Sequence, residues 1–270
     1  MIYETLPNGL RIPLLGFGTW QMGGASSADR SHDKELVAAM RQFIDMGYTH
    51  IDTAEGYGAT HTEELVGQAI KGYDRNDLFI TTKVSPEHLR YDDVLRSCAG
   101  SLRRLGVDFV DLYLIHWPNS SIPLEDTFRA LNQLVREGKV KHVGVSNFDL
   151  PLMEQSMRLS ETPILTNQVR YNLLHREPVQ NGVLAYCQEH DILLTAYSPL
   201  KDGVLRHPQV VEIARRHGVS PAQVGLRWLM DQTRVITIPK TSDVEHARDN
   251  FASLTLELSA EDTAKLDAIG

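Results

Sequence analysis

The sequence predicts an α/β fold, a closed (β/α)8 barrel of the TIM type with a β-hairpin at its N-terminus. Short apolar runs suited to strands alternate with longer segments of helical periodicity, and the strand-like run occurs eight times. Strands that alternate with helices form parallel sheets, and eight such units close into a barrel of roughly 250 residues. We therefore expect a single domain spanning residues 1–270.

Eight apolar runs are the candidate barrel strands. They cover residues 14–18, 48–51, 78–82, 109–115, 140–145, 164–166, 192–196 and 235–238. Before the first run, Asn8 and Gly9 lie between the apolar stretches 2–6 and 10–12. An Asn-Gly pair in that setting is a two-residue turn signal, and it predicts the hairpin.

Segments of helical periodicity fill the intervals between the predicted strands. Residues 33–46 carry apolar side chains at helical spacing and stop at Gly47. Thr60 and Glu63 have the spacing of a capping box, which predicts a helix over residues 60–70. The other predicted helices cover residues 92–105, 124–137, 151–159, 178–190, 210–217, 221–231, 244–252 and 260–269.

Composition and charge exclude several classes of protein. Hydrophobic residues make up 42% of the chain and charged residues 23%, which is typical of a globular protein. The net charge of −8 argues against a nucleic-acid or membrane partner. Cys98 and Cys187 lack the CxxC spacing of a metal knuckle or redox pair, so we expect reduced thiols in the cytoplasm. Neither a membrane-spanning run nor a signal-peptide pattern occurs.

Four polar residues follow predicted strands and form a candidate catalytic set. Asp52, Lys83 and His116 directly follow three strands, and Tyr57 lies on the loop after Asp52. Active sites of barrels form at the C-terminal ends of the strands, so we expect these side chains to share one rim. An ammonium group beside a phenol lowers its pKa from about 10, and a carboxylate can hold that ammonium in place. The set predicts protonation of an oxygen while a cofactor reduces the adjoining carbon.

The usual sequence signals for a metal or a dinucleotide are missing. The eleven histidines include no HExxH pattern, so no metal site is expected. No GxGxxG follows a predicted strand, so a Rossmann-type cofactor site is not expected either.

The chain resembles the aldo-keto reductase superfamily along nearly its whole length. The resemblance is carried by GFGTW (16–20), IDTAEGY (51–57), TTKV (81–84), LYLIHWP (112–118), GVSNF (144–148), NQV (167–169), AYSPL (196–200) and IPKT (238–241). Any one match is weak evidence, but eight in the family's order are specific. The resemblance implies that Tyr57 donates a proton, Lys83 and Asp52 support it, and His116 orients a carbonyl.

The resemblance also implies an extended NADPH laid across the barrel rim, with NADH use possible. The implied cofactor-binding positions are Thr19, Trp20, Asp52, Ser146, Asn147, Gln168, Tyr197, Ser198, Pro199, Leu200, Gly203, Lys240, Thr241, Ser242, His246 and Asn250. Tyr197 matches the ring that stacks on the nicotinamide, and Lys240 matches the lysine at the adenosine 2′-phosphate. Two departures bear on the phosphate pocket: His246 replaces an arginine common in the family, and Asp243 adds a negative charge.

The substrate pocket is expected to be open and weakly selective. The resemblance places Trp20, Tyr57, His116 and Trp117 around it. The loops after His116 and Tyr197 are short, and we expect no C-terminal tail beyond Gly270 to cover it. A pocket with few contacts discriminates weakly among substrates. We therefore expect reduction of small aldehydes, ketones and dicarbonyls such as methylglyoxal, as in the methylglyoxal-reductase-like and prostaglandin-F-synthase-like bacterial members.

Two other functions stay open at this point. Some members of the family act as cofactor-sensing regulatory subunits with little catalysis. Lysines on barrel strands also form Schiff bases, so Lys83 would suit a lyase. The resemblance favours a monomer, and neither the physiological substrate nor the direction of the reaction follows from the sequence.

Overall fold

Eight parallel strands form one sheet that curls into a barrel, which confirms the predicted fold; the computed structural model describes residues 1–269. An antiparallel hairpin of β1 (Tyr3–Thr5) and β2 (Arg11–Pro13) precedes it. The barrel strands are β3 (Phe17–Gly18), β4 (His50–Asp52), β5 (Phe79–Val84), β6 (Val110–Ile115), β7 (Val140–Ser146), β8 (Ile164–Arg170), β9 (Leu193–Tyr197) and β10 (Val235–Thr237). Each pairs with the next in chain order.

The first and last strand regions meet and close the barrel. The Gly16 amide donates to the Thr237 carbonyl at 2.9 Å, and the Thr237 amide donates to the Leu14 carbonyl at the same distance. A further parallel bridge joins Gly18 to Lys240. Closure leaves every barrel strand with a neighbour on both sides and no free edge.

Helices cover the outside of the barrel. They are α1 (Asp33–Met46), α2 (His61–Ile70), α3 (Tyr91–Leu105), α4 (Leu124–Arg136), α5 (Leu150–Leu159), α6 (Glu177–Gln180), α7 (Val183–Glu189), α8 (Pro208–His217), α9 (Pro221–Met230), α10 (Val244–Ala252) and α11 (Ala260–Asp267). Strand β6 is buried at every position, as expected for a parallel strand covered on both faces. None of the helices in residues 1–269 has the length and apolar character that a bilayer crossing requires.

Three local predictions were wrong. The hairpin loop is longer than two residues, because the Leu6 amide bonds to the Leu10 carbonyl at 2.9 Å and Gly9 takes a left-handed φ of 84°. The predicted helix 178–190 is broken between α6 and α7, where Gly182 adopts φ 81°. Thr60 does not form a capping box, since its own φ is 79° and its side chain caps nothing.

Glu63, the other half of the predicted capping box, is a buried ion-pair partner instead. Its carboxylate accepts from Arg104 Nε at 2.7 Å and from Thr82 Oγ1 at 2.5 Å. A buried carboxylate needs such partners, because burial disfavours its charged form. The side chain therefore ties α2 to α3 and β5 rather than closing the first turn of its own helix.

Candidate active site

The four candidate catalytic residues converge at the C-terminal rim of the barrel. Asp52 ends β4, Lys83 lies near the end of β5 and His116 follows β6. Tyr57 opens a 3-10 turn (Tyr57–Thr60) just before α2. Three of them, Asp52, Tyr57 and His116, line a cavity of about 480 Å³, and Lys83 lies buried beneath it.

Lys83 is held by three acceptors in a site closed to solvent. Its side chain is 0% exposed, and Nζ donates to Asp52 Oδ1 at 2.6 Å, Thr53 O at 2.8 Å and Tyr57 Oη at 3.3 Å. An ammonium has three protons, so every one is used. Burial lowers the pKa of Lys83, but the charges of Asp52 and Tyr57 and the bonds to them outweigh it and raise the pKa above its usual value.

Burial dominates the acidity of Tyr57. Desolvation raises the pKa of the phenol, Lys83 opposes that effect, and Asp52 adds to it, so the pKa lies above its ordinary value. The prediction that Lys83 brings the Tyr57 pKa down is right for the contribution of Lys83 and wrong for the net direction. The phenol is consequently protonated at neutral pH, which is the form that a proton donor needs.

His116 faces the cavity as a neutral ring. Burial, with a smaller contribution from the charge of Lys83, lowers the pKa of His116 to about 3. Its ring stands edge-on to Tyr57 with centroids 5.5 Å apart. Its backbone is fixed by the His116 amide, which donates to Val84 O at 3.0 Å. A neutral imidazole can donate one N–H to a carbonyl oxygen without adding charge to the site.

The turn that follows Tyr57 is conformationally strained. Gly58, Ala59 and Thr60 have φ values of 55°, 50° and 79°. Left-handed conformations cost a residue with a Cβ about 1–2 kcal/mol each. Such strain persists only where surrounding contacts impose it. Here the Gly58 amide donates to Ala25 O at 2.8 Å, within the segment of residues 19–32 that links β3 to α1 and is called the first loop below.

A second group of polar side chains faces the same cavity from the ends of β7, β8 and β9. Gln168 Nε2 donates to Asp52 Oδ2 at 2.7 Å, which connects this group to the catalytic set. Tyr197 Oη donates to Asn147 Oδ1 at 2.9 Å, and Asn147 Nδ2 donates to Ser146 Oγ at 2.9 Å. The structure therefore brings together Ser146, Asn147, Gln168 and Tyr197, which the sequence singled out separately.

Two lysines extend the cavity beyond Tyr197. Lys240 was predicted from the sequence, whereas Lys201 was not, although it directly follows the matched segment 196–200. Burial, together with the nearby charge of Lys201, lowers the pKa of Lys240. Within residues 1–269 neither ammonium is paired with a carboxylate. Asp202, which follows Lys201 in the sequence, is bound by Arg170 and by Asn172 Nδ2 instead. The far end of the cavity is therefore positively charged.

Several predicted cofactor residues do not form part of the cavity wall. Thr19 is buried, and its hydroxyl donates to the Asp52 carbonyl at 2.9 Å, so it anchors the catalytic strand. Gly203 adopts φ 95° in the turn after Lys201. Asn250 is buried on α10. Ser198, Pro199 and Leu200 do line the cavity.

The start of α10 organises the other residues of the predicted phosphate pocket. Asp243 caps the helix, because its Oδ1 accepts from the His246 amide at 2.9 Å. The Asp243 amide in turn donates to Thr241 Oγ1 at 3.0 Å. Ser242 lines a neighbouring cavity of about 490 Å³ that shares Gln21 with the first. One oxygen of the Asp243 carboxylate is thus used by the helix terminus.

Two tryptophans stand at the mouth of the cavity. Trp20 is 40% exposed and Trp117 is 47% exposed. The Trp20 ring lies edge-on to Tyr57, with centroids 4.9 Å apart. Across residues 1–269, no cluster of three or more His, Cys, Asp or Glu side chains is arranged to hold a metal ion. The chemistry available to the site is proton donation from Tyr57 beside a cationic groove.

Comparison with known proteins places this site in a family. The model of the aldo/keto reductase family matches residues 14–270. Methylglyoxal reductase YeaE of Escherichia coli (strain K12) is 39% identical over 263 residues, covering 95% of this chain and 90% of that protein.

Solved structures of other proteins are similar to this chain in both fold and sequence. The thermostable aldo-keto reductase Tm1743, crystallised with the inhibitor epalrestat, is 47% identical, with a TM-score of 0.96 and 100% of both chains covered. An aldo-keto reductase from Klebsiella pneumoniae in complex with NADPH is 38% identical, with a TM-score of 0.89, covering 99% of this chain and 95% of that one. The chain therefore belongs to the aldo/keto reductase family.

Proposed function

We propose that this protein reduces small aldehydes, ketones and dicarbonyls, methylglyoxal among them, to alcohols with NADPH, and that Tyr57 is the proton donor. The observation that carries the proposal is the Tyr57–Lys83–Asp52 arrangement at one end of a cavity whose other end holds Lys201 and Lys240. A proton donor and an anion-binding groove meet in one cavity. The family of the chain supports the same chemistry.

The side chains divide the work of carbonyl reduction. The cofactor supplies the hydride that no side chain can. Tyr57 and His116 donate hydrogen bonds to the carbonyl oxygen, and Tyr57 Oη passes its proton to that oxygen as negative charge develops there. The phenolate left behind is stabilised by Lys83 Nζ, 3.3 Å away. Asp52 fixes Lys83 in position, so the positive charge is in place before the reaction begins.

The cavity has groups suited to each part of a nicotinamide dinucleotide. Tyr197 offers a ring for stacking on the nicotinamide, and Ser146, Asn147 and Gln168 offer polar atoms to its carboxamide. The Gln168 amide nitrogen already donates to Asp52, which leaves its oxygen as an acceptor. The segment Ser198, Pro199, Leu200, with Gly203 beyond it, would accompany the pyrophosphate. Thr19 and Trp20 would border the nicotinamide end.

The charge at the far end of the cavity supports NADPH over NADH. A 2′-phosphate needs cationic donors, and Lys240 has no carboxylate partner within the described chain. Thr241 and Ser242 directly precede the N-cap of α10, His246 lies in its first turn, and Asn250 lies near its C-terminal end. His246 lacks the fixed charge of an arginine, so we propose that NADH is accepted as well, but more weakly.

The mouth of the cavity supports small substrates and broad selectivity. Trp20 and Trp117 are partly exposed walls that offer apolar surface and no charge. A site with few polar contacts rejects few analogues. The name of the Escherichia coli relative, a methylglyoxal reductase, points to the same substrate class.

We also propose that residues 1–270 act as one catalytic domain, as a monomer in the cytoplasm. All eight barrel strands belong to one sheet, and the catalytic and cofactor residues come from strands throughout it. Cys98 and Cys187 are free and buried, which suits a reducing compartment.

A Schiff-base lyase fits the site poorly. Such chemistry needs a neutral, accessible amine. Lys83 is instead fully buried, its three protons are all donated, and its pKa is raised. A regulatory role without turnover would leave the same groups in place, and kinetics distinguish it directly.

The test is the absorbance of reduced nicotinamide when methylglyoxal or simple aldehydes are added. We expect NADPH to be oxidised, and NADH to be oxidised more slowly at equal concentration. Binding of NADPH without oxidation by any carbonyl tried would contradict the proposed activity and favour the regulatory role. Failure to bind either cofactor would remove the nicotinamide assignment altogether.

A further inference from the structure

We propose that His61, with Asp33 and Glu64, forms a clamp that positions the first loop and the Tyr57 turn for proton transfer. These three residues are called the His61 clamp below. None of them lines the catalytic cavity. The inference rests on the proposed role of Tyr57 as proton donor, and it assigns a positioning role to groups outside the site.

The geometry of His61 is unusual for a buried histidine. Its side chain is 0% exposed, and both ring nitrogens face carboxylates: Nε2 lies 2.8 Å from Asp33 Oδ1 and Nδ1 lies 2.8 Å from Glu64 Oε2. Ionised carboxylates only accept hydrogen bonds. Either neutral tautomer of the ring satisfies one of them, and the doubly protonated ring satisfies both. Arg30 Nη2 donates to Glu64 Oε2 at 3.1 Å and joins the network.

The His61 clamp holds the first loop at two places. It fixes the C-terminal end of the loop, and its histidine ring supports the middle of the loop. Asp33 is the first residue of α1, directly after that loop. Gly23 in the middle of the loop lies against the histidine, because a Cβ there would come within 2.9 Å of His61 Cδ2 and 2.7 Å of Leu65 Cδ1. Gly23 also adopts φ 78°, so both space and backbone require glycine. The loop is thus seated on the buried ring.

The same ring stands next to the catalytic turn. His61 directly follows the left-handed residues 58–60, and its neighbour Thr62 donates from Oγ1 to Met22 O at 2.7 Å. The strained turn is therefore held on one side by the first loop and on the other by the start of α2. Trp20, at the beginning of the first loop, packs edge-on against Tyr57. Motion of the loop is transmitted to the Tyr57 hydroxyl through both connections.

The His61 clamp should affect the reaction rate more than it affects the stability of the fold. The Asp33 and Glu64 side chains are 26% and 39% exposed, so water can hydrate them when the clamp opens, and ion pairs with exposed partners contribute little to folding. A small displacement of a reacting group has a much larger effect on rate. Loss of the clamp should therefore appear mainly in kcat.

Most of the proposed cofactor groups lie on the opposite part of the rim and provide an internal reference, whereas Thr19 and Trp20 belong to the first loop. Ser146, Gln168, Tyr197 and Lys240 come from β7 to β9 and from the segment after β10. The His61 clamp contacts none of them. Its loss should therefore change NADPH affinity far less than it changes kcat.

The experiment compares His61→Gln and Asp33→Asn with wild type. We expect kcat to fall about 10- to 100-fold, as for a misplacement of roughly 1 Å, with the Kd for NADPH within about twofold of wild type. Trypsin should cut more quickly at Arg30, because the first loop is released. Asp33→Asn keeps the histidine and the side-chain shape, so it tests the clamp even where His61→Gln folds poorly.

Asp111→Asn is the matched control. It removes two ion pairs of the Asp111 carboxylate, with Arg75 Nη2 at 2.6 Å and with Lys141 Nζ at 3.0 Å, near the start of β6 and far from the rim. We expect it to lower Tm and leave kcat and cleavage at Arg30 unchanged. If both clamp variants behave like Asp111→Asn, the cluster is only structural and the inference is wrong. If wild type binds NADPH but reduces no carbonyl, the proposed function fails, while cleavage at Arg30 still shows whether the clamp holds the loop.

Discussion

The two halves of the barrel rim treat charge in opposite ways. At the ends of β4 to β6, Lys83 and Asp52 are buried and each charge has its partners within the protein. At the ends of β9 and β10, Lys201 and Lys240 face the cavity, and neither is paired with a carboxylate in residues 1–269. The first half is complete without a ligand, whereas the second has charge available for one.

The difference matches the roles proposed for the two halves, proton transfer in the first and phosphate binding in the second. A charged group stabilises a transition state best when it is already oriented and shielded from water, because neither the protein nor the solvent then has to reorganise during the reaction. Charge that binds a phosphate must remain free of internal partners, because a carboxylate would compete with the ligand. Substitutions in the first half should therefore change turnover, and those in the second half should change affinity.

The largest effect is expected from Tyr57→Phe. Removal of the hydroxyl should lower kcat by about 10²- to 10⁴-fold, which is the usual contribution of a general acid. The Kd for NADPH, measured by quenching of protein fluorescence, should stay near the wild-type value because the cofactor groups are untouched. Turnover within tenfold of wild type would show that Tyr57 is not the donor.

Lys240→Ala should have the next largest effect, and a selective one. A hydrogen bond to a charged group contributes about 1.5–3 kcal/mol, which corresponds to roughly 10- to 100-fold in NADPH affinity. NADH lacks the 2′-phosphate and should lose little. Titration of wild type and variant with each cofactor measures the two affinities. An equal loss of affinity for NADPH and NADH would place Lys240 at a phosphate that both cofactors share.

Lys201→Ala should weaken both cofactors by the same smaller factor, several-fold at low salt. Lys201 follows the segment 198–200, and its amide donates to Ser198 O at 3.3 Å, so it lies close to Tyr197 along the chain. That position suits the pyrophosphate, which NADPH and NADH have in common. Lys71→Ala is the control, because this exposed lysine follows the C-terminus of α2, at the opposite end of the barrel. A loss confined to NADPH would assign Lys201 to the 2′-phosphate instead.

The smallest expected change is in the pH profile of reduction. The pKa of Tyr57 is raised above about 10, and reduction uses the protonated phenol, so kcat should hold through neutral pH and fall only above that value. His116 has a pKa of about 3 and is already neutral at pH 5, so no acidic limb should appear between pH 5 and pH 9. A decline centred near pH 7 would mean that another group controls proton transfer.

The sequence predicted the barrel and the convergence of the candidate catalytic residues on one rim, because both depend on local patterns. Apolar runs mark strands, and Asp52, Lys83 and His116 occur at or near the strand ends, where barrel topology brings them together. The direction of the Tyr57 pKa was not predictable. It depends on how much burial opposes the charge of Lys83, and only the packed structure determines that balance.

Contacts between residues far apart along the chain could not be predicted from the sequence either. His61 meets Asp33 across 28 positions, and no motif relates the two. Glu63 had the spacing of a capping residue, but it pairs with Arg104, 41 positions away. The break at Gly182 was missed because the apolar spacing continues on both sides of it. The two long-range contacts depend on tertiary packing, which no local pattern in the sequence encodes.

The bridge between Gly18 and Lys240 ties the proposed phosphate site to the closure of the whole barrel. Lys240 is placed at the cavity only when the N-terminal and C-terminal strand regions meet at the seam of the barrel. A ligand bound to Lys240 therefore favours the closed seam by mass action and resists unfolding from either terminus. If the proposed phosphate site at Lys240 is correct, bound NADPH stabilises the closed barrel, and opening of the seam removes that site together with the fold.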